Sequence, residues 1–390
     1  MHKLIAAQFL IESEKAPIID VRTPAEYEQG HIPGAYNVPL FTNEQRVLVG
    51  TAYKRQGREA AMLLALDLVG PRMRELVEAV QKITEKYMTA HGEWPAASFD
   101  TFSFAKAQEN TQDERVVSNH ATNTKKVLIH CWRGGMRSAS FAWLCQFFGF
   151  EVSLLDGGYK AYRAWVREQF AIKRNFIVLG GPTGLGKTEI LLQLVHAQEQ
   201  AIDLELLAQH KGSVFGGLGQ QAQPTQEQFE NNLAQVLTAC KTEKRIFIED
   251  ESRKIGALFV PEVLYAQMRI ALLVSLARSQ EERVAHLCKH YGAYDVELLI
   301  ACVTRLEKHI GGARMQEIIK LLEACNIQDV CKLLIAYYDA LYAYGLSQRA
   351  ILNKLNCDIS ELSSSQAAAA IQAALAQHNL TPTEQLQLSL

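Results

Sequence analysis

The sequence has eight cysteines, at positions 131, 145, 240, 288, 302, 325, 331 and 357, but no CxxC pair and no Cys/His cluster at zinc spacing. That pattern argues against a structural metal and for reduced thiols. Long apolar runs are also missing. Stretches such as Ile270 to Leu276 fall far short of the ~20 residues a bilayer span needs, and Met1-His2-Lys3 does not open a signal peptide. The expectation is a cytoplasmic protein with no membrane partner, read as a monomer. Nor is there an excess of charge: 40 Lys plus Arg against 42 Asp plus Glu gives a net charge of -2. Any nucleic-acid partner therefore has to be met by a local basic patch. No internal repeat is present.

What is present is the composition of a folded chain, 48% hydrophobic and 21% charged over 390 residues, enough for two or three domains. Strand patterns at Ala16 to Val21, Val127 to His130 and Val152 to Leu155 alternate with helical ones, such as Ser138 to Phe148. This predicts an α/β domain over about 1–170, with a parallel sheet and functional groups at the strands' carboxyl ends. Between about 85 and 124 the periodicity fades, which reads as a surface excursion. A second α/β domain is expected over 171–278, with strands at Phe176 to Leu179, Ile246 to Ile248 and Ile270 to Leu276. After Ser279 the strand signals stop. Amphipathic helices at Glu281 to His290, Asp295 to His309, Arg314 to Ala324 and Asp329 to Tyr344 predict a helical region over 279–362. The Ala/Gln/Ser-rich stretch 363–390 reads as a low-complexity tail, a weakly packed helix with a frayed end.

Two loops carry chemistry. His130-Cys131-Trp132-Arg133-Gly134-Gly135-Met136-Arg137-Ser138 puts Cys131 at a strand's end, where backbone N–H groups near a helix N-terminus and the guanidinium groups of Arg133 and Arg137 favour a thiolate and a bound anion. Cys131, Arg133 and Arg137 are the catalytic candidates. Cys145 and the six cysteines after it read as structural. The second loop, Gly181-x4-Gly186-Lys187-Thr188, follows a strand and opens a helix, the context that marks a Walker A loop. Gly181, Gly184, Gly186, Lys187 and Thr188 are the phosphate-binding candidates, with Thr188 a candidate ligand of Mg²⁺ and no cofactor firmly implied. Glu249, Asp250 and Glu251, closing the next strand, are secondary candidates in the manner of a Walker B segment. A polyphosphate is indicated, not ATP, because no nucleotide-specificity motif is evident.

The segments Asp20-Val21-Arg22-Thr23-Pro24-Ala25-Glu26-Tyr27 and Gly30-His31-Ile32-Pro33-Gly34-Ala35, the cysteine loop, and Asp156-Gly157-Gly158-Tyr159 together resemble the rhodanese superfamily over residues 1 to about 170. Asp20, Arg22 and His31 read as scaffold. The spacing His-Cys-x5-Arg is shared with cysteine phosphatases, so the loop length also suits a tetrahedral phosphate. With His210-Lys211-Gly212-Ser213-Val214-Phe215-Gly216 and Glu249-Asp250-Glu251-Ser252-Arg253-Lys254-Ile255-Gly256 added, nearly the whole chain resembles the tRNA 2-selenouridine synthase family. The resemblance implies a selenotransferase that converts wobble 2-thiouridine to 2-selenouridine in tRNAs for Lys, Glu and Gln. It further implies selenophosphate as donor and geranyl diphosphate for an S-geranyl intermediate. A Cys131 perselenide is the expected selenium carrier.

The tRNA anticodon loop is then the expected partner. From Lys125 to Arg174 nine basic residues face three acidic ones, which marks Lys160, Arg163, Arg167, Lys173 and Arg174 as candidate contacts, extended by Arg253, Lys254, Arg269 and Arg278. Trp132 is a candidate for stacking on a base, with packing an equal possibility. Two rival readings remain: a cysteine phosphatase, arsenate reductase or sulfurtransferase fused to a nucleotide-binding module, and a non-enzymatic RNA-binding or sulfur-carrier adaptor.

Overall fold

The computed structural model describes residues 2–91, 125–349 and 353–377. It forms two compact units, Met1–Glu168 and Gln169–Leu390. Residues 92–124 of the expected surface excursion lie outside the described ones, whereas 85–91 continue the helix Met73–His91.

The first unit is built on strands β1 (His2–Leu4), β2 (Ile18–Asp20), β3 (Tyr36–Asn37), β4 (Lys126–His130) and β5 (Glu151–Leu155), in the order β1-β5-β4-β2-β3 and parallel throughout. β4 is central, and its last four residues are buried, as a strand covered on both faces requires. Val127, Ile129, Val152 and Leu154 pack with Phe141 and Cys145 of the helix Met136–Phe147, so Cys145 is a core residue. Its burial pushes the thiol up to about 12, which keeps it inert. Thr23 and Glu26 close a capping box, with Pro24 at the first helical position, and so fix the start of the helix Pro24–Gln29.

The second unit has the parallel order β12-β11-β6-β8-β7, from β6 (Phe176–Gly180), β7 (Gln200–Ile202), β8 (Ile246–Glu249), β11 (Leu272–Ala277) and β12 (Lys354–Asp358). A small antiparallel ribbon joins β9 (Lys254–Ile255) to β10 (Leu258–Phe259). β6 is central and wholly buried. Helices Gln280–Tyr291, Val296–Thr304, Gly312–Glu323 and Ile327–Ser347 follow.

Two expectations for the C-terminal part are corrected. Strands do not stop at Ser279: β12 pairs with β11 from Leu273 to Ala277. Its alternating exposure is a short edge-strand pattern that helical neighbours hid. The helix Ser364–Gln377, read as part of a low-complexity tail, buries Ala367, Ala368, Ile371 and Leu375 in the core beside Ile190, Leu194 and Phe247. Small residues let it lie close. Ile371 and Leu375 alone contribute roughly 3–6 kcal/mol by the apolar area they remove from water.

Candidate functional site

In the first unit, β4 delivers Cys131 to the start of its loop. The residue is 3% exposed, and its Sγ lies 3.2 Å from the Ser138 hydroxyl. Arg133 and Gly135 are exposed, so the loop's rim meets solvent while the sulfur lies within. Ser138, whose side chain also donates to the Gly135 carbonyl, was not singled out from sequence. Its place one residue after Arg137 in the helix's first turn was the available signal. Gly158 closes the loop from behind: at φ +62°, a Cβ there would fall on the Gly134 amide and the Cys131 carbonyl.

Beneath the loop lies a buried polar cluster. Arg22 donates to Asp20 at 2.6 Å and to the Gly30 carbonyl at 2.7 Å, and its guanidinium sits 3.7 Å from the Tyr159 ring centroid. Burial alone would raise the Asp20 carboxyl, but the adjacent His130 ring and the Arg22 guanidinium outweigh it and hold the acid below its ordinary range. Burial in turn lowers the His130 pKa, against the pull of Asp20. Asp20 and Arg22 thus tie the strand end to its turn. Tyr27 stacks on His31 at 3.9 Å, and a His31 ring nitrogen lies 3.1 Å from the Tyr27 carbonyl.

Arg137 is not a free anion ligand in this arrangement. It forms a two-pronged contact with Glu26, at 2.6 and 3.2 Å. Burial would raise Glu26, but the Arg137 bonds prevail and hold it low. Trp132 is half-buried, tilted against Tyr159 at 5.8 Å, so packing engages the ring that was a candidate for base stacking.

In the second unit, Gly181 to Thr188 wrap the carboxyl end of β6 and lead into the helix Lys187–His196. Gly181, Gly184 and Gly186 all have positive φ, which leaves the backbone amides free to converge on an anion. The Lys187 ammonium donates to the Gly181 carbonyl at 3.3 Å, a resting contact across the loop. Thr188 donates to Glu249 Oε1 at 3.0 Å. Arg283 braces the loop, donating to the Thr183 carbonyl at 2.8 Å and to both oxygens of Asp339.

The three acids at the end of β8 separate by role. Glu249 faces Thr188 and is 1% exposed, with its Oε2 buried and without a hydrogen-bond partner. Asp250 is occupied by Arg349 at 3.0 Å and Tyr342 at 3.3 Å, a structural assignment. Glu251 lines the cleft with Asp203 and Glu205, two acids that sequence reasoning missed. Both follow β7, at the carboxyl edge of the sheet, and β7 itself was too short to register. Loss of solvent and the neighbouring carboxylates push Glu249 well above its ordinary range, and Asp203 also rises through burial. Glu205 rises to about 8 through desolvation and then Glu251; Glu251 rises to about 7 through desolvation, against the pull of Lys187. An orphaned buried oxygen and crowded carboxyls beside a threonine hydroxyl suit a hard divalent cation such as Mg²⁺.

These groups line a cleft of about 520 Å³. Apolar and aromatic side chains line the same cleft: Leu206, Leu287, Tyr291, Tyr338, Leu341 and Leu346.

The basic candidates fare unequally. Lys160, Arg167 and Lys173 are exposed, and Arg163 is half-buried and engaged. Arg253 pairs with Glu262 at 3.4 Å, and Lys254 lies 5.8 Å over the Phe259 ring. Arg278 donates to the Leu362 carbonyl at 2.8 Å, and Arg269 lines the cleft. Arg174 is a correction. It is 8% exposed and donates to the carbonyls of Gln169 at 2.6 Å and Ile172 at 3.2 Å. Its guanidinium ties the entry to β6 and does not reach a phosphate track. Lys126 is likewise neutralised, by Glu12 at 2.6 Å and Glu151 at 3.5 Å.

Among the described residues, no helix is long and apolar enough to cross a membrane. Residues 6–84 and 93–164 match the Rhodanese-like domain family, and residues 174–370 match the family described as the tRNA 2-selenouridine synthase AAA domain. Three proteins named tRNA 2-selenouridine synthase align over most of their length. That of Shewanella denitrificans is 30% identical, covering 85% of this chain and 89% of its own. That of Bdellovibrio bacteriovorus is 31% identical, covering 86% and 90%. That of Pseudomonas fluorescens is 32% identical, covering 84% and 88%. A cysteine loop on a rhodanese-like sheet, a phosphate loop on a second sheet and this shared sequence lead to one conclusion: the chain belongs to the tRNA 2-selenouridine synthase family.

Proposed function

We propose that the enzyme exchanges sulfur for selenium in wobble 2-thiouridine of tRNA(Lys), tRNA(Glu) and tRNA(Gln), by S-geranylation with geranyl diphosphate and then selenation from selenophosphate. The observation that carries this reading is a single cleft lined both by the phosphate loop and by leucines and tyrosines. A prenyl diphosphate has one anionic end and one apolar end, and the cleft matches both.

In the first step the tRNA sulfur attacks the geranyl carbon and diphosphate departs. The loop amides and Lys187 stabilise the charge that builds on the leaving group. Thr188 and Glu249 are the residues that would hold Mg²⁺, which supplies further neutralisation of the diphosphate when bound. Alkylation turns a poor leaving group into a thioether on a more electrophilic carbon. The second step takes place at the Cys131 loop, whose amides and Arg133 receive the selenophosphate anion.

Electron balance sorts the forms that selenium can take there. If the Cys131 thiolate attacked selenium to form a perselenide directly, phosphorus would leave two electrons richer, as phosphite. With phosphate as the product, selenium of selenophosphate instead attacks C2 of the base, geranylthiol leaves, and water then cleaves the P–Se bond. The 3% exposure of Cys131 favours the second route, with the cysteine building the anion cradle.

The test is nucleoside mass spectrometry of tRNA after incubation with geranyl diphosphate and selenophosphate, each omitted in turn, together with ³¹P spectra of the products. Cys131→Ser is expected to abolish selenation and spare geranylation, and Lys187→Ala to weaken geranylation. Loss of both activities in the cysteine variant would refute the division of labour, and phosphite among the products would restore the perselenide. Release of phosphate from a generic aryl phosphate without tRNA would favour the phosphatase reading.

A further inference from the structure

The cleft holds a second group of donors that the proposed reaction does not use. Glu189 stands in the first turn of the helix after the phosphate loop, and His286 and His290 lie four residues apart on the helix Gln280–Tyr291, so they share one face. Glu189 Oε1 is 3.1 Å from His290 Nε2 and 3.8 Å from His286 Nε2, and one donor atom from each residue falls within 4.8 Å of the others. The imidazole centroids are 4.4 Å apart. All three residues are partly buried and line the cleft.

We propose that Glu189, His286 and His290 form a binding site for a divalent transition-metal ion of the zinc class. Around a tetrahedral ion with bonds of about 2.0–2.1 Å, ligand atoms stand about 3.3–3.4 Å apart, and the two measured separations bracket that spacing. Two imidazole nitrogens with one carboxylate suit Zn²⁺, Co²⁺ or Ni²⁺. The oxygens of Thr188 and Glu249 suit a harder ion, so the two positions select different metals. Three protein ligands leave at least one coordination position open.

The open position has a defined neighbour. A Cβ on Gly186 would lie 3.4 Å from His286 and 3.3 Å from Glu189 Oε2, so the donors abut the phosphate loop itself. Arg278 approaches the same glycine, but it donates to the Leu362 carbonyl and lies 3.9 Å from Glu282. The open position therefore faces the place where a phosphate oxygen would sit. That part of the inference rests on the proposed use of the loop for a diphosphate; metal binding itself does not.

The experiment is a Co²⁺ titration of the full-length, chelator-stripped protein followed by visible absorption. One equivalent is expected to bind with the d–d bands of nitrogen- and oxygen-ligated cobalt, and Zn²⁺ should displace it. His286→Ala and His290→Ala are each expected to weaken binding roughly tenfold or more. Glu189→Gln tests the third ligand without changing side-chain size, and circular dichroism and Tm establish that each variant is folded. Thiolate-to-cobalt charge-transfer bands would assign the metal to cysteine and overturn the proposal, as would undiminished binding in a folded His286→Ala/His290→Ala double variant. Inorganic phosphate is then added to the cobalt-loaded protein. A shift of the d–d bands is expected; unshifted bands would overturn the assignment of the open position to phosphate. Because no arm uses geranyl diphosphate or tRNA, failure here is distinguishable from failure of the proposed transferase reaction.

Discussion

The Thr188 hydroxyl donates to Oε1 of Glu249 at 3.0 Å, while the second oxygen of that carboxyl is buried without a partner. The pair joins the phosphate loop to β8 through an interaction that is incomplete in the protein alone. A buried acid in that state costs folding free energy that a substrate or cation recovers.

Glu249→Gln is therefore expected to separate stability from activity. Removing the ionisable group should raise the urea midpoint of the ligand-free enzyme, while kcat for geranylation falls by roughly 10²–10³. Parallel denaturation and turnover measurements check this; a variant both less stable and fully active would contradict the role given to the carboxyl.

Glu205 and Glu251 predict a pH dependence. Their folded values, about 8 and about 7, lie above the ordinary 4.5, so the folded state holds protons that the unfolded chain releases. The sign follows: stability contributed by the protonated acids is fully present below the ordinary range and is lost as pH rises through 7 to 8. Urea midpoints in the presence of chelator should fall between about pH 5.5 and about pH 8.5. The fall should shrink in Glu205→Gln/Glu251→Gln.

The apolar residues that line the cleft predict selectivity between the ends of the substrate. Leu341→Asp and Leu346→Asp should raise KM for geranyl diphosphate roughly 10–200-fold each, the span that apolar contacts command in a specificity pocket. Binding of inorganic diphosphate should be nearly unchanged. Equal losses for both ligands would place the prenyl chain elsewhere.

Gly158→Ala should disable the other loop. Positive φ and contact with the Gly134 amide and Cys131 carbonyl make any side chain costly, roughly 1–3 kcal/mol from backbone strain alone. Selenation is expected to fall with geranylation intact, as read by nucleoside mass spectrometry.

Much of this organisation was legible in the sequence. Six strands announced themselves as apolar runs, because central parallel strands are buried on both faces, and both loops carry glycines at positions that chemistry constrains. The edge strands β1, β3, β7 and β12 were not legible, being short and half-exposed. Asp203, Glu205, Glu189, His286 and His290 were missed for a related reason: each looks like an ordinary polar residue until folding brings it to the phosphate loop. Arg174 shows the reverse error, since a charge count cannot tell an arginine that satisfies buried carbonyls from one that meets solvent. Arg137 and Trp132 matched motif logic, yet Glu26 and Tyr159 engage them, partners that only the fold supplies.

The pairing of β12 with β11 spans more than seventy residues of intervening helices. During synthesis the rhodanese-like sheet has all its strands once Leu155 leaves the ribosome, whereas the nucleotide-style sheet must wait, one edge unmade, until residues 354–377 emerge. A premature stop anywhere in that late stretch should thus release a polypeptide whose front half matures normally and whose rear half becomes a client of chaperones and proteases.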